Sequence, residues 1–185
     1  MTVRRSTVAA LAAALAVTAC SGTASLDPRR WFSRDETPKA SPRDEPGVEA
    51  RLKGVGSAAG GTVRVRQSGD LLILLSVLDG VKPGPYRFVL HERGNCSSPN
   101  GFSAGAPWAP PGAKDPATQV LPIMNVNSDG HGEMTVRLRG LRMGDGGMVD
   151  RGVLVYEGTA AQPPRPGVPN NVVACGAFVK ATTLF

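Results

Sequence analysis

The 185 residues contain no block of basic side chains, no apolar run long enough to cross a bilayer, and no sustained helical periodicity. The first absence argues against a nucleic-acid partner, because the surplus positive charge is scattered rather than gathered on one segment. The second excludes a membrane-spanning helix, which needs about 20 consecutive apolar residues. The third points away from a helical domain. Catalytic signatures are missing as well. There is no Ser/His/Asp nucleophile set, no paired-carboxylate pattern and no phosphate loop. Gly144-Asp145-Gly146-Gly147 is glycine-rich but lacks the strand-to-helix context that phosphate binding requires.

What is present is turn-forming residues and a modest supply of apolar ones. Apolar content of 41% suffices for a core, and 23 Gly with 16 Pro imply many turns. The amino terminus has the form of a bacterial export signal over residues 1–19. Arg4 and Arg5 precede an apolar run from Val8 to Val17, and Val17-Thr18-Ala19-Cys20 has the small residues and Cys of a lipobox. Cys20 is therefore the expected lipidation site, and the expected location is the cell membrane, lipid-anchored, facing outside the cytoplasm. The alternative is an ordinary secretory signal with an incidental Cys20. Of the 3 cysteines, Cys96 and Cys175 then remain to pair in an oxidising compartment. That disulfide would close a loop of about 80 residues, worth ~4.5 kcal/mol in the chain-entropy limit. Cleavage before Cys20 removes Arg4 and Arg5 and takes the net charge from +6 to +4.

Residues 20–47 are rich in Pro, Ser and charges of both signs, and bury too little to fold alone; they are expected to form a disordered tether. Trp31-Phe32 interrupts it as either an interfacial contact or a solvated pair. From residue 48 to residue 185 the pattern is strand and turn. Expected strands run over Glu49–Val55, Gly60–Gln67, Leu71–Leu78, Tyr86–His91, Gly132–Gly140, Arg151–Tyr156 and Asn171–Val179. Leu71–Leu78 shows little alternation and is expected to be buried on both faces. Residues 93–122 are expected to be irregular, and Asn127-Ser128-Asp129-Gly130 forms a tight turn. Seven or eight short strands predict an all-β Greek-key barrel or sandwich of about eight antiparallel strands.

The stretch Gly84–Pro110, GPYRFVLHERGNCSSPNGFSAGAPWAP, carries the most specific signal. Its strand ends in His91-Glu92, followed by Gly94, Cys96-Ser97-Ser98-Pro99, then Ser103-Ala104-Gly105 and Trp108. This resembles the metal-site strand and disulfide loop of the copper/zinc superoxide dismutases, and the resemblance extends over roughly Val48 to Val179. It implies that family's barrel, and in a complete member it would imply a copper held by four histidines. Here Val89 stands at the first ligand position and His91 at the second. Pro107 stands at the bridging position, and Tyr156 where the fourth histidine would follow Leu154-Val155. Zinc is not expected, since the loop 108–122 has only Lys114 and Asp115 as ionisable groups. The family's superoxide-guiding arginine corresponds to Val172.

A single imidazole does not make a copper site, which needs several converging nitrogen or sulfur donors. The expectation is therefore no cofactor and no catalytic residue: an envelope-anchored, superoxide dismutase-like domain without dismutase activity, acting as a binding or structural module. Its partners would be the membrane, through its lipid anchor, and an unidentified protein or envelope component. His91 would be a buried or rim histidine bonded to a neighbour. Two alternatives stand beside this. One is a superoxide dismutase with a degenerate copper site built from His91, Tyr156 and Met143 or Met148. The other is a copper carrier. His131, the other histidine, is expected to be exposed in its turn.

Overall fold

Period-two alternation builds the strands where the sequence places it. A computed structural model describes residues 47–110, 120–144 and 146–181. The expected export signal, Cys20 and all of the tether before Gly47 lie outside the described residues, as do Lys114 and Asp115. Eight strands follow in order: β1 (Gly47–Gly54), β2 (Gly60–Ser68), β3 (Leu71–Asp79), β4 (Gly84–His91), β5 (Val120–Val126), β6 (Gly132–Arg139), β7 (Gly152–Glu157) and β8 (Val172–Ala181). They pair in the order β5-β4-β7-β8-β1-β2-β3-β6, antiparallel throughout, as a nearly closed barrel. β1, β2 and β3 form a meander. The chain then crosses so that β6 lies beside β3 and β7 beside β4, the connection pattern of a Greek key.

Two expectations are corrected. β5 occupies residues assigned in part to an irregular loop, and it completes the barrel. Pro122 hides it, because proline removes a ladder donor and weakens any strand reading. Here the proline falls where the β4–β5 register shifts between Arg87 and Val89, on a strand hydrogen-bonded along one side only. The second correction concerns β3. Leu72, Leu74, Ser76 and Leu78 are buried, whereas Leu71, Ile73, Leu75 and Val77 are only half-buried. Continuous aliphatic sequence reads as two buried faces, yet β3 has just one.

The turn chemistry follows the sequence closely. Gly69, at φ 59°, leads the two-residue turn between β2 and β3. Between β5 and β6 the Asn127 side-chain oxygen accepts from the amides of Asp129 and His131, each at 3.0 Å. The barrel interior is filled by aliphatic and aromatic side chains, among them Val63, Val65, Leu74, Phe88, Val155 and Phe178, all fully buried. Ser76 Oγ is buried there without a hydrogen-bond partner among the described residues.

Gly61 shows how tightly β2 approaches β3. It sits at φ 148°, and a Cβ built there would lie 2.1 Å from the Val77 carbonyl oxygen. Neither the dihedral nor the space admits a side chain. Gly61→Ala is expected to lower stability by roughly 2–4 kcal/mol, measured as the shift in urea midpoint.

Candidate functional site

β4 ends at His91. After His91 the chain doubles back and lies against the outside of the sheet. The Glu92 amide donates to the Ala106 carbonyl at 3.0 Å, Arg93 N–H to Ala104 at 3.0 Å, and Trp108 N–H to Leu90 at 2.8 Å. Gly152, at the start of β7, allows this approach, since a Cβ there would meet the Arg93 carbonyl oxygen at 2.4 Å. Arg151 adds a clamp. Its guanidinium donates to the Glu92 carbonyl at 2.9 Å and stacks over the Trp108 ring at 4.8 Å. The far end of the loop is fixed covalently: Cys96 and Cys175 form a disulfide across a sequence separation of 79 residues, with Cα atoms 5.7 Å apart. The loop is thus held to β8, as the cysteine count predicts.

Between the loop and the sheet lies a second, smaller core of Val89, Ala104, Leu154, Tyr156, Val172 and Cys175. Its side chains come from the outward faces of β4, β7 and β8 and, through Ala104, from the loop itself, which explains why β4 is buried on both sides near its end. His91 and Tyr156 bring the polar groups into this nest, and both residues are 0% exposed. His91 Nδ1 lies 2.8 Å from the Gly105 carbonyl oxygen, and its Nε2 lies 2.9 Å from the Tyr156 hydroxyl.

These two contacts fix the proton positions. A carbonyl only accepts, so Nδ1 carries the hydrogen and donates to Gly105. In the neutral ring Nε2 then has the lone pair, and the Tyr156 O–H donates to it. Burial drives both groups toward their neutral forms. It lowers the His91 pKa, against the opposing influences of the Gly105 bond and the Glu92 charge. It raises that of Tyr156 well above the usual phenol value. The outcome is a chain of neutral hydrogen bonds running from loop carbonyl to imidazole to phenol.

The arrangement does not fit a copper ion. The one lone pair that an imidazole offers a metal is occupied by the Tyr156 proton, and a phenol held neutral is a poor ligand. Val89 lines the same nest but has no donor atom. Pro107 lies opposite His91 in an isolated backbone bridge and likewise has no donor. Met148 is buried in the main core and Met143 packs against that core, so the structure does not gather the thioethers of the alternative copper site around His91. Among the described residues no group of three or more His, Cys, Asp or Glu side chains is placed to hold a metal. Val172 adds only apolar surface to the nest.

Access to the pair is closed. Both side chains are fully buried, and neither lines the concavity of about 560 Å³ across β1 and β8 beside the disulfide. Glu92 points elsewhere, its carboxylate 3.4 Å from the Ala106 amide, so it forms no dyad with His91. His131 is half-exposed, with Nδ1 2.6 Å from Asp79 and Nε2 3.4 Å from Glu133, and its pKa is raised, chiefly by the Asp79 bond. Sequence reasoning places His131 in its turn but misses these partners, which stand on β3 and β6. It also misses the Tyr156–His91 bond, because the two residues are 65 apart in the chain.

No protein-family model matches the chain, and no curated protein matches it.

The buried pair makes stability depend on pH from both sides. A lowered His91 pKa contributes stability that is full above its unfolded value near 6.5 and declines as pH falls toward the folded value. A raised Tyr156 pKa contributes stability that is full below about 10 and is lost as pH rises beyond it. Tyr156→Phe keeps the ring volume but leaves the buried Nε2 acceptor unpaired. It is expected to cost about 1–3 kcal/mol at neutral pH and to remove this alkaline loss, both read from urea midpoints across pH.

Proposed function

We propose that this protein is a copper/zinc superoxide dismutase-like barrel that has given up dismutase chemistry and serves as an exported, lipid-anchored binding or structural module. Residues 1–19 act as its export signal, Cys20 bears the lipid, and residues 20–47 tether the barrel outside the cytoplasmic membrane. The resemblance in Gly84–Pro110 and the disulfide between Cys96 and Cys175 support the family reading. The observation that carries the loss of chemistry is the 2.9 Å hydrogen bond between Tyr156 and His91. It turns the one imidazole at the expected ligand positions into a structural acceptor, in a nest otherwise lined by aliphatic groups.

A copper enzyme needs an open coordination position and a path for its substrate. Here the lone pair is filled and the loop covers the site. The same two features argue against copper carriage, which requires a donor set that can open.

Copper loading tests this reading. After incubation with equimolar copper and desalting, the purified chain is expected to retain far less than one ion per molecule. Its superoxide disproportionation should not exceed that of the same protein after treatment with a chelator. One tightly held copper per chain together with chelator-sensitive turnover would overturn the proposal.

A further inference from the structure

The outward side of the β2-β3-β6 sheet combines a row of aliphatic side chains with arginines on both flanks. Because Leu72, Leu74, Ser76 and Leu78 point inward, Leu71, Ile73, Leu75 and Val77 point out, and each stays half-buried. The register places their neighbours. Ile73 stands between Arg66 of β2 and Arg137 of β6. Leu75 lies opposite Arg64, and Leu71 opposite Arg139. Adjacent strands are about 4.8 Å apart, so the two arginine rows run roughly 10 Å from one another with the aliphatic row between them. Arg64, Arg137 and Arg139 are exposed and Arg66 is half-exposed.

Charge along this face is uneven. Glu49 meets Arg64 at 3.0 Å from the β1 side. Asp79 and Glu133 lie toward the opposite end of the sheet, where they hold His131. Arg66, Arg137 and Arg139 thus lie in the half of the sheet near the Gly69 turn, where Asp70 is also exposed. Arg137 and Arg139 stand two residues apart on one side of β6, both exposed, and a layer of negative charge laid across them is attracted to both.

We propose that this face docks on an anionic phospholipid bilayer. The Arg137 and Arg139 guanidinium groups pair with headgroup phosphates, whose geometry suits a planar forked donor, and the Leu71–Ile73–Leu75 row enters the interfacial layer between headgroups. A soluble polyanion would engage the arginines and leave the aliphatic row idle; the bilayer uses both. The inference deepens the envelope-module reading by naming a surface that the barrel touches. It does not depend on the lipid at Cys20, because the sheet supplies its own contacts.

Residues 20–185 carrying Cys20→Ser, which retain all eight strands, are sedimented with two kinds of vesicle. One is phosphatidylcholine alone, and the other is an equimolar mixture of phosphatidylcholine and phosphatidylglycerol. Binding is expected to the mixed vesicles only, and to fall with added salt. A basic residue near an anionic membrane contributes roughly fivefold in partitioning, so the Arg137→Gln/Arg139→Gln variant should bind on the order of tenfold or more weakly. Ile73→Thr/Leu75→Thr should also weaken vesicle binding while leaving binding to inorganic polyphosphate unchanged. Absence of binding to mixed vesicles, or equal binding by the arginine variant, would overturn the proposal. Vesicle binding indifferent to Ile73→Thr/Leu75→Thr would overturn it in favour of a simple polyanion site. The arginine substitutions lie at exposed positions, so they carry the test even if the threonine variant fails to fold. Membrane fractionation of cells expressing Cys20→Ser tests the lipid anchor separately.

Discussion

The outer layer of this protein depends on one buried chain of hydrogen bonds, from the Gly105 carbonyl through the His91 ring to the Tyr156 hydroxyl. Each link needs the others. Without Tyr156 the imidazole would hold an unpaired acceptor in an apolar nest, and without His91 both the phenol and the loop carbonyl would lose a partner. A buried polar group without a partner costs about as much as a single hydrogen bond stabilises, or more. The pair therefore ties the loop to the sheet at a point far from the disulfide in sequence. With the Arg151 clamp on Trp108, the loop is held at three places.

This fastening has a chemical consequence. An imidazole can offer its one lone pair either to a metal or to a proton. The tautomer set by Gly105 aims that lone pair at Tyr156, and burial keeps the phenol protonated. What remains is a closed, neutral and apolar interior outside the barrel wall. The hydrogen bond that stabilises this nest also occupies the His91 lone pair. On the described surface, the β2-β3-β6 face combines positive charge with aliphatic side chains.

Much of the fold was legible in the sequence. Alternation in Gly60–Gln67 and Gly132–Gly140 located two strands to within a residue or two, and Asn127 with Gly130 located a turn. The disulfide followed from the cysteine count. What stayed hidden was set by pairing across long separations. β5 contains a proline that only its place at a register shift makes tolerable. The aliphatic run of β3 reads as fully buried because a sequence cannot show which side of a strand a sheet will cover. At the site, the family resemblance put His91 and Tyr156 at would-be metal-ligand positions. That they satisfy each other instead depends on how their side chains lean across the sheet, which no spacing rule encodes.

The tautomer of His91 tests this account most directly. Side-chain nitrogen NMR on imidazole-labelled protein at neutral pH should show a protonated Nδ1 and an unprotonated, hydrogen-bonded Nε2, with resonances unmoved by equimolar Cu(I) or Zn(II). A proton on Nε2, or resonances displaced by either metal, would contradict it.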